Sequence, residues 1–451
     1  MDGGHEAPRG RDTLERTHIQ TALFFKRGLF RLIERAAEAR RPHSAPLDIP
    51  PSKCSDGALW VFVSTIGELN AIEPFLVRLL DEVPRPLVLL TDRSVYRDAY
   101  LHRYPDAIVV EISDNAARAL AAALRPALLI VAEIPCLLSD APCRFPFSFV
   151  YEAKRAGAAV CLVNGWLYGQ LPASRIDQLE RAWFRQDYLR LFDVMTVQTD
   201  EVARLLIAEG APPERVRVTG NIKFDAIPAH REAARTSRSG QLLQGIRDGG
   251  RPCIVAGCVT DADEQARILD AFASVREQLG RALVVIAPRH PENRPMMASL
   301  ATELGRRNVS FALRSTLADA PLADGIDCIV LDTMGELRDF YFAATVAYVG
   351  RDHNLLEPLA FDKPVYVGAG WDARYPSYRV YKMLLEQGAL IECTEAPALA
   401  RSWIALLSDP KSYGRQRETI DAALATNQGA TRRCLDALAA VRASDSEIDP
   451  G

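Results

Sequence analysis

Several short segments of this chain place acid–base or anion-binding residues directly after an apolar run. Thr65-Ile66-Gly67-Glu68 follows Leu59–Ser64 and leads into an amphipathic stretch from Leu69. A carboxylate there can serve as a general base on a hydroxyl. It can equally be a first-turn glutamate favoured by the helix dipole, and both readings stand. Gly67 permits a tight turn beside it. Thr219-Gly220-Asn221-Ile222-Lys223 follows Val216–Val218, so Lys223 can meet a phosphate or a carboxylate, or pair with Asp225. Pro288-Arg289-His290-Pro291-Glu292 follows Leu283–Ile286; two prolines stiffen a loop that offers Arg289 and His290. An arginine there reads as a phosphate clamp, or as the partner of a neighbouring acid.

Two further loops have the same position. Asp332-Thr333-Met334-Gly335-Glu336-Leu337 follows Cys328–Leu331. The spacing predicts a helix capped by Thr333 with Glu336 closing the box, and the Gly335 amide can approach an anion at that helix N-terminus. Gly350-Arg351-Asp352-His353-Asn354-Leu355-Leu356-Glu357-Pro358 follows Val346–Val349. Glu357 at a helix start can accept two hydrogen bonds from a ribose diol, while a nearby amide or side chain reads the base.

The elements that must position these loops are legible as a rhythm. Aliphatic runs at Leu59–Val63, Leu87–Leu90, Ile108–Ile112, Leu128–Val131, Val160–Val163 and Met195–Val197 alternate with stretches of helical length. That alternation means a parallel sheet covered on both faces. Residues 229–251 lack a strand signal and read as a linker. The rhythm restarts at Cys253–Ala256, Leu283–Ile286, Val309–Ala312, Cys328–Leu331, Val346–Val349, Val365–Val367 and Leu390–Ile391. The expected organisation is a Rossmann-like domain over 1–228, the linker, and a second Rossmann-like domain over 252–451 that ends in a helical stretch. Ligands of open α/β sheets sit at the carboxyl ends of strands, so the expected site is a cleft between the two domains.

Composition excludes several classes. The 451 residues are 48% hydrophobic and 25% charged, with 54 basic against 58 acidic side chains and a formal charge of −4. That is an ordinary globular protein, with no sign of a nucleic-acid partner. The nine cysteines form no CxxC pair and the seven histidines no HxxxH or HxH pattern. Reduced thiols in a cytoplasmic protein without a metal site are expected. No uninterrupted run of about 20 apolar residues spans a bilayer. Phe24, Phe25, Leu29, Phe30 and Leu32 lie among Lys26, Arg27, Arg31, Arg35, Arg40 and Arg41. This reads either as an amphipathic helix at the inner face of an anionic membrane or as a helix packed on its own domain.

Taken in order, these motifs resemble the 3-deoxy-D-manno-octulosonic acid (Kdo) transferases. The segments are Ile66-Gly67-Glu68, Val218-Thr219-Gly220-Asn221-Ile222-Lys223-Phe224-Asp225, Pro288-Arg289-His290-Pro291-Glu292, Asp332-Thr333-Met334-Gly335-Glu336-Leu337 and His353-Asn354-x-Leu356-Glu357-Pro358. The resemblance implies a GT-B architecture and an inverting, metal-independent glycosyl transfer. It implies a CMP-activated sugar acid as donor substrate and no cofactor. Glu68 would be the catalytic base, and Lys223 would face the phosphate or sugar carboxylate. Arg289, His290, Thr333, Met334, Gly335, Glu336, Asn354 and Glu357 would line the nucleotide site. Gly67, Glu133, Asn164 and Trp166 would lie on the acceptor side.

The chain departs from the family at defined places. The family's Ser-Thr-His-x-Gly-Glu-Glu loop reads Cys258-Val259-Thr260-Asp261-Ala262-Asp263-Glu264. Its Glu-x-Glu-Leu-Trp-Pro-Asn keeps Glu133 but continues Ile134-Pro135-Cys136-Leu137-Leu138. Its Asn-Ala-Arg-Leu-Ser becomes Asn164-Gly165-Trp166-Leu167-Tyr168, without the arginine, and its glycine-rich loop shortens to Gly350-Arg351-Asp352. Nucleotide-side motifs are largely kept while acceptor-side residues are replaced. The expected acceptor is therefore a small molecule, saccharide or lipid other than standard lipid A, which Trp166 and Tyr168 would suit. The alternatives are ordinary Kdo transfer to a lipid A precursor, a nucleotide-sugar hydrolase or epimerase, or a non-catalytic nucleotide-binding module.

Overall fold

The computed structural model describes residues 23–33, 57–112, 116–135, 137–172, 174–227, 240–375 and 377–446. Arg35, Arg40, Arg41 and the first part of the expected linker lie outside these residues.

The first unit is built on β1 (Ala58–Phe62), β2 (Leu87–Thr91), β3 (Ile108–Glu111), β4 (Pro126–Ala132), β5 (Ala159–Gly165), β6 (Val194–Val197) and β7 (Val216–Val218). They form one sheet in the order β3-β2-β1-β4-β5-β6-β7, and every pairing is parallel. All five residues of β1 and all seven of β5 are buried. Helices cover both faces of the sheet, so the central strands read as unbroken apolar runs rather than alternating ones. The short β7 carries only one buried residue and is the edge of the sheet, and residues 219–223 follow it as the sequence suggested.

Aromatic packing fixes the layer over this sheet. Phe62 stacks on Phe145 at 4.2 Å, and Phe147 on Phe184 at 4.0 Å. The helix over residues 23–33 joins this core through Phe30, which is fully buried with its ring 5.3 Å from Phe184. Lys26 pairs with Asp187. The opposite side of the helix leaves Phe24, Phe25, Leu29 and Leu32 exposed.

The second unit repeats the plan with β8 (Cys253–Val259), β9 (Leu283–Pro288), β10 (Phe311–Leu313), β11 (Cys328–Val330), β12 (Val346–Val349), β13 (Val365–Val367) and β14 (Leu390–Glu392). Their order is β10-β11-β9-β8-β12-β13-β14, again parallel throughout. The α/β class expected from the sequence is the one observed.

The division of the chain differs from the expected boundaries. The first unit runs to Gly220 and takes back residues from Arg432 onward, while the second spans Asn221–Thr431. Phe224 and Ile227 belong to the second core, as do Leu242 and Ile246 of a helix over Gln241–Asp248. These apolar residues have a core to fill, so their segments fold with the second unit instead of serving as linker. From Arg432 the last helix packs on the first unit, where Arg433 Nε donates to the Thr219 carbonyl at 2.8 Å.

If the 23–33 helix is part of the first core, Phe30→Ala should lower the unfolding free energy by roughly 3–5 kcal/mol. Phe25→Ala, at an exposed position, should change it by less than about 0.5 kcal/mol. Denaturant midpoints of the two variants check this.

Candidate functional site

In each sheet the chain order reverses beside the first strand: at β1/β4 in the first unit and at β8/β12 in the second. The crossovers leave such a point in opposite directions, so the carboxyl ends of those two strands are left uncovered. Among the described residues, six non-glycine residues have φ in the left-handed region. Glu133, Asn164, Cys258 and Asp352 are four of them, and all lie at the ends of β4, β5, β8 or β12. Conformations this costly persist where the surroundings over-determine them, as at ligand sites.

In the first unit, Thr65 caps the helix over Ile66–Glu82. Its hydroxyl accepts the Glu68 amide at 3.4 Å and donates to Glu68 Oε1 at 3.1 Å. Glu68 Oε2 accepts the Ser64 amide at 2.6 Å. Both readings of Glu68 therefore meet in one residue: it is a capping glutamate, and its carboxylate lies at the switch point. Burial pushes its pKa up to about 8, against the Ser64 and Thr65 hydrogen bonds, and the negative charges of Glu133 and Asp92 add to the rise. A carboxylate that titrates near neutrality suits a general base. Gly67 makes no tight turn. Its φ is ordinary, and an added Cβ would find only Thr65 Oγ1, at 3.6 Å. The fold does not require this glycine.

Glu133 is held differently. Tyr168 donates its hydroxyl to Oε2 at 2.9 Å, Asn164 Nδ2 donates to Oε1 at 3.0 Å, and Gln198 Nε2 reaches Oε1 at 3.5 Å. Those donors hold the Glu133 carboxylate in place. Trp166 is only 3% exposed and packs in the first core. The expectation of an acceptor-facing indole is corrected accordingly, and Tyr168 acts through its hydroxyl. Gln198, which sequence reasoning missed, follows β6 at a strand end, the same signal that marked the other loops.

In the second unit, the loops after β8, β9 and β12 lie side by side. Gly350 permits the approach, since a Cβ there would come within 2.0 Å of the Cys258 carbonyl. Arg289 is half-buried and makes no ion pair or side-chain hydrogen bond to another described residue. His290 is exposed and contacts Glu292 at 3.0 Å. Burial lowers the pKa of His353 to about 4, helped by the positive charges of Arg289 and His290, so the ring is neutral near pH 7. Its Nε2 is buried without a hydrogen-bond partner. Asn354 accepts the Leu356 amide at 3.1 Å and donates to Glu357 Oε1 at 3.2 Å. Burial raises the pKa of Glu357.

The Thr333 segment differs from expectation. Its helix starts only at Leu337, with Glu336 at the cap position and no side-chain capping bond. Thr333 does bond the Glu336 carboxylate, but Arg314 draws that carboxylate into an ion pair at 2.9 Å. Met334 is 82% exposed, and Gly335 has open space around it with φ +88°. Lys223 falls in a short turn over Ile222–Ala226, where its amide donates to Asn221 Oδ1 at 3.0 Å. Among the described residues, no cluster of three or more His, Cys, Asp or Glu could hold a metal, and no helix is long and apolar enough to cross a membrane.

Residues 31–226 match the family model described as 3-deoxy-D-manno-octulosonic-acid transferase (kdotransferase). A 3-deoxy-D-manno-octulosonic acid transferase of Bordetella pertussis is 30% identical over 427 residues, covering 89% of either chain. One from Haemophilus influenzae is 26% identical over 400 residues, covering 84% of this chain and 86% of its own. Among solved structures, the UDP-GlcNAc 2-epimerase of Neisseria meningitidis bound to UDP-GlcNAc superposes with a TM-score of 0.56. It is 14% identical and covers 85% of this chain and 99% of its own. That likeness is one of fold alone, a pair of Rossmann-like units of GT-B type.

The raised pKa of Glu68 has a consequence for stability. Between its ordinary value of 4.5 and about 8, the folded state binds the proton more tightly than the unfolded chain. Stability contributed by this proton is complete below the ordinary value and is lost as pH rises through about 8. Glu68→Gln does not titrate, so the stability of wild type relative to the variant should fall steadily across that window. Thermal melts of both proteins over a pH series measure it; a difference that stays constant with pH would contradict the assignment.

Proposed function

Because this chain belongs to the Kdo transferase family and is a glycosyltransferase, we propose that it transfers a sugar acid from a CMP donor, with inversion and without a metal, to an acceptor other than standard lipid A. The observation that carries the reading is Glu68, a proton-avid carboxylate at the switch point of the first unit. Glu68 takes the proton of the acceptor hydroxyl as its oxygen bonds the anomeric carbon. The bond from that carbon to the phosphate oxygen breaks, and CMP leaves with the electron pair. Arg289 is suited to stabilise the charge that grows on the leaving phosphate, a contribution that counts most in the transition state. Glu357 and Asn354 meet the ribose and base in this reading. His290, Thr333, Met334 and Gly335 complete the donor side in this reading, with Lys223 near the donor's negative groups.

The altered acceptor comes from the loss of a cation. Where the family has arginine, this chain buries Trp166 in its core, so an anionic lipid phosphate lacks that partner. We also assign the exposed face of the 23–33 helix to peripheral contact with the inner face of the membrane. Phe24, Phe25, Leu29 and Leu32 are exposed, and Arg31 and Lys26 flank them.

Two outcomes are expected. Glu68→Gln should lower transfer by about 10²–10⁴ with CMP affinity within about threefold, whereas Arg289→Ala should cost CMP roughly 1.5–3 kcal/mol of binding. Calorimetry and a transfer assay separate them, and loss of CMP binding in Glu68→Gln would move Glu68 to the donor pocket. In co-sedimentation, the chain should bind vesicles containing anionic lipid, and the Phe24→Asp/Phe25→Asp variant should not; equal binding would remove the membrane assignment.

A further inference from the structure

In the second unit the uncovered strand ends belong to β8 and β12. Asp261 lies two residues beyond β8, and Arg351 two residues beyond β12. The Arg351 guanidinium donates to Asp261 Oδ2 across the switch point. Both belong to loops in which this chain departs from the family pattern, so the pair ties the two departures together.

The guanidinium is placed for a ligand. Its side chain is 32% exposed and that of Asp261 41%. Its Nε is buried with no hydrogen-bond partner, so Asp261 uses only part of the donor fork. Gly370, with φ +87°, lies beside it: an added Cβ would be in ordinary contact with Arg351 Nη1, at 3.4 Å. Asp352 anchors the loop by accepting the Asp372 amide at 2.8 Å. A partly exposed ion pair is held weakly, whereas a planar guanidinium binds a carboxylate through two parallel hydrogen bonds.

The donor chemistry supplies such a carboxylate. In a CMP-linked 2-ulosonic acid, the anomeric carbon carries both the phosphate oxygen and the carboxylate. Two cations must therefore converge on neighbouring anions. Arg289 follows β9 and Arg351 follows β12, the two strands that flank β8. Adjacent strands lie about 4.8 Å apart, so the two arginines start from strands about 10 Å apart, within the reach of two long side chains.

We propose that Arg351 is a specificity-determining residue that binds the carboxylate of the transferred sugar, with Asp261 holding the guanidinium in position until the donor displaces it. The inference rests on the CMP-donor reading and adds to it the group that distinguishes a sugar acid from a neutral sugar.

The test is calorimetric titration of the full chain with CMP and with CMP-Kdo, in the absence of acceptor. Wild type should bind CMP-Kdo more tightly than CMP. Arg351→Ala should keep CMP affinity within about threefold but lose about tenfold or more for CMP-Kdo, as for a hydrogen-bonded charge pair. Arg351→Lys keeps the charge without the fork and should lose CMP-Kdo affinity selectively but less. It also serves if the alanine variant does not fold. Asp261→Asn should bind CMP-Kdo at least as well as wild type. If the arginine variants bind both ligands as wild type does, or lose both equally, the assignment is overturned while the donor reading stands. If wild type itself binds no CMP, the donor reading fails, and this assignment falls with it.

Discussion

Everything chemical in this molecule depends on one constraint of parallel sheets. Each strand must be joined to the next by a crossover, and where the order reverses two neighbouring strands send their crossovers apart. The backbone there opens at its carboxyl end, with no helix to cover it. Both units place the reversal beside their first strand, at β1/β4 and β8/β12. Charged residues gather at those openings: Glu68 and Glu133 in one unit, Asp261 and Arg351 in the other. The apolar strands between serve to hold the openings in shape.

The helix after the first strand of each unit, Ile66–Glu82 or Ala262–Leu279, then offers an instructive pair. Glu68 and Glu264 each stand third in a helix, and each amide bonds the side chain of its cap, Thr65 or Asp261. Each carboxylate turns back to the amide before the cap, of Ser64 at 2.6 Å or Thr260 at 2.7 Å. The backbone device is the same and the surroundings differ. Glu264 is fully buried and takes the Tyr348 hydroxyl at 3.0 Å. Glu68 faces the negative charges of Glu133 and Asp92, which add to the rise of its pKa. A cap becomes a candidate base through what stands opposite it.

This explains how far the sequence could be read. Long apolar runs such as Leu128–Val131 announced the central strands because burial on both faces leaves little choice of residue. The late start of the helix at Leu337 escaped, since short exposed elements carry weak patterns. Glu68 could be singled out because its loop follows a strand and has a turn residue beside it. Trp166 could not be placed: an indole serves equally in a core and at a binding surface, and only its neighbours decide. The Tyr168–Glu133 and Arg351–Asp261 contacts join residues distant in sequence. Such pairings depend on strand order, which local pattern does not encode.

The most direct test of this account is a crystal structure of the protein with CMP bound. The account predicts the nucleotide at the carboxyl ends of β8, β9 and β12, its phosphate on Arg289 and its ribose near Glu357. CMP bound instead at the end of β1, against Glu68 and Glu133, would contradict the division of roles on which the proposed transfer rests.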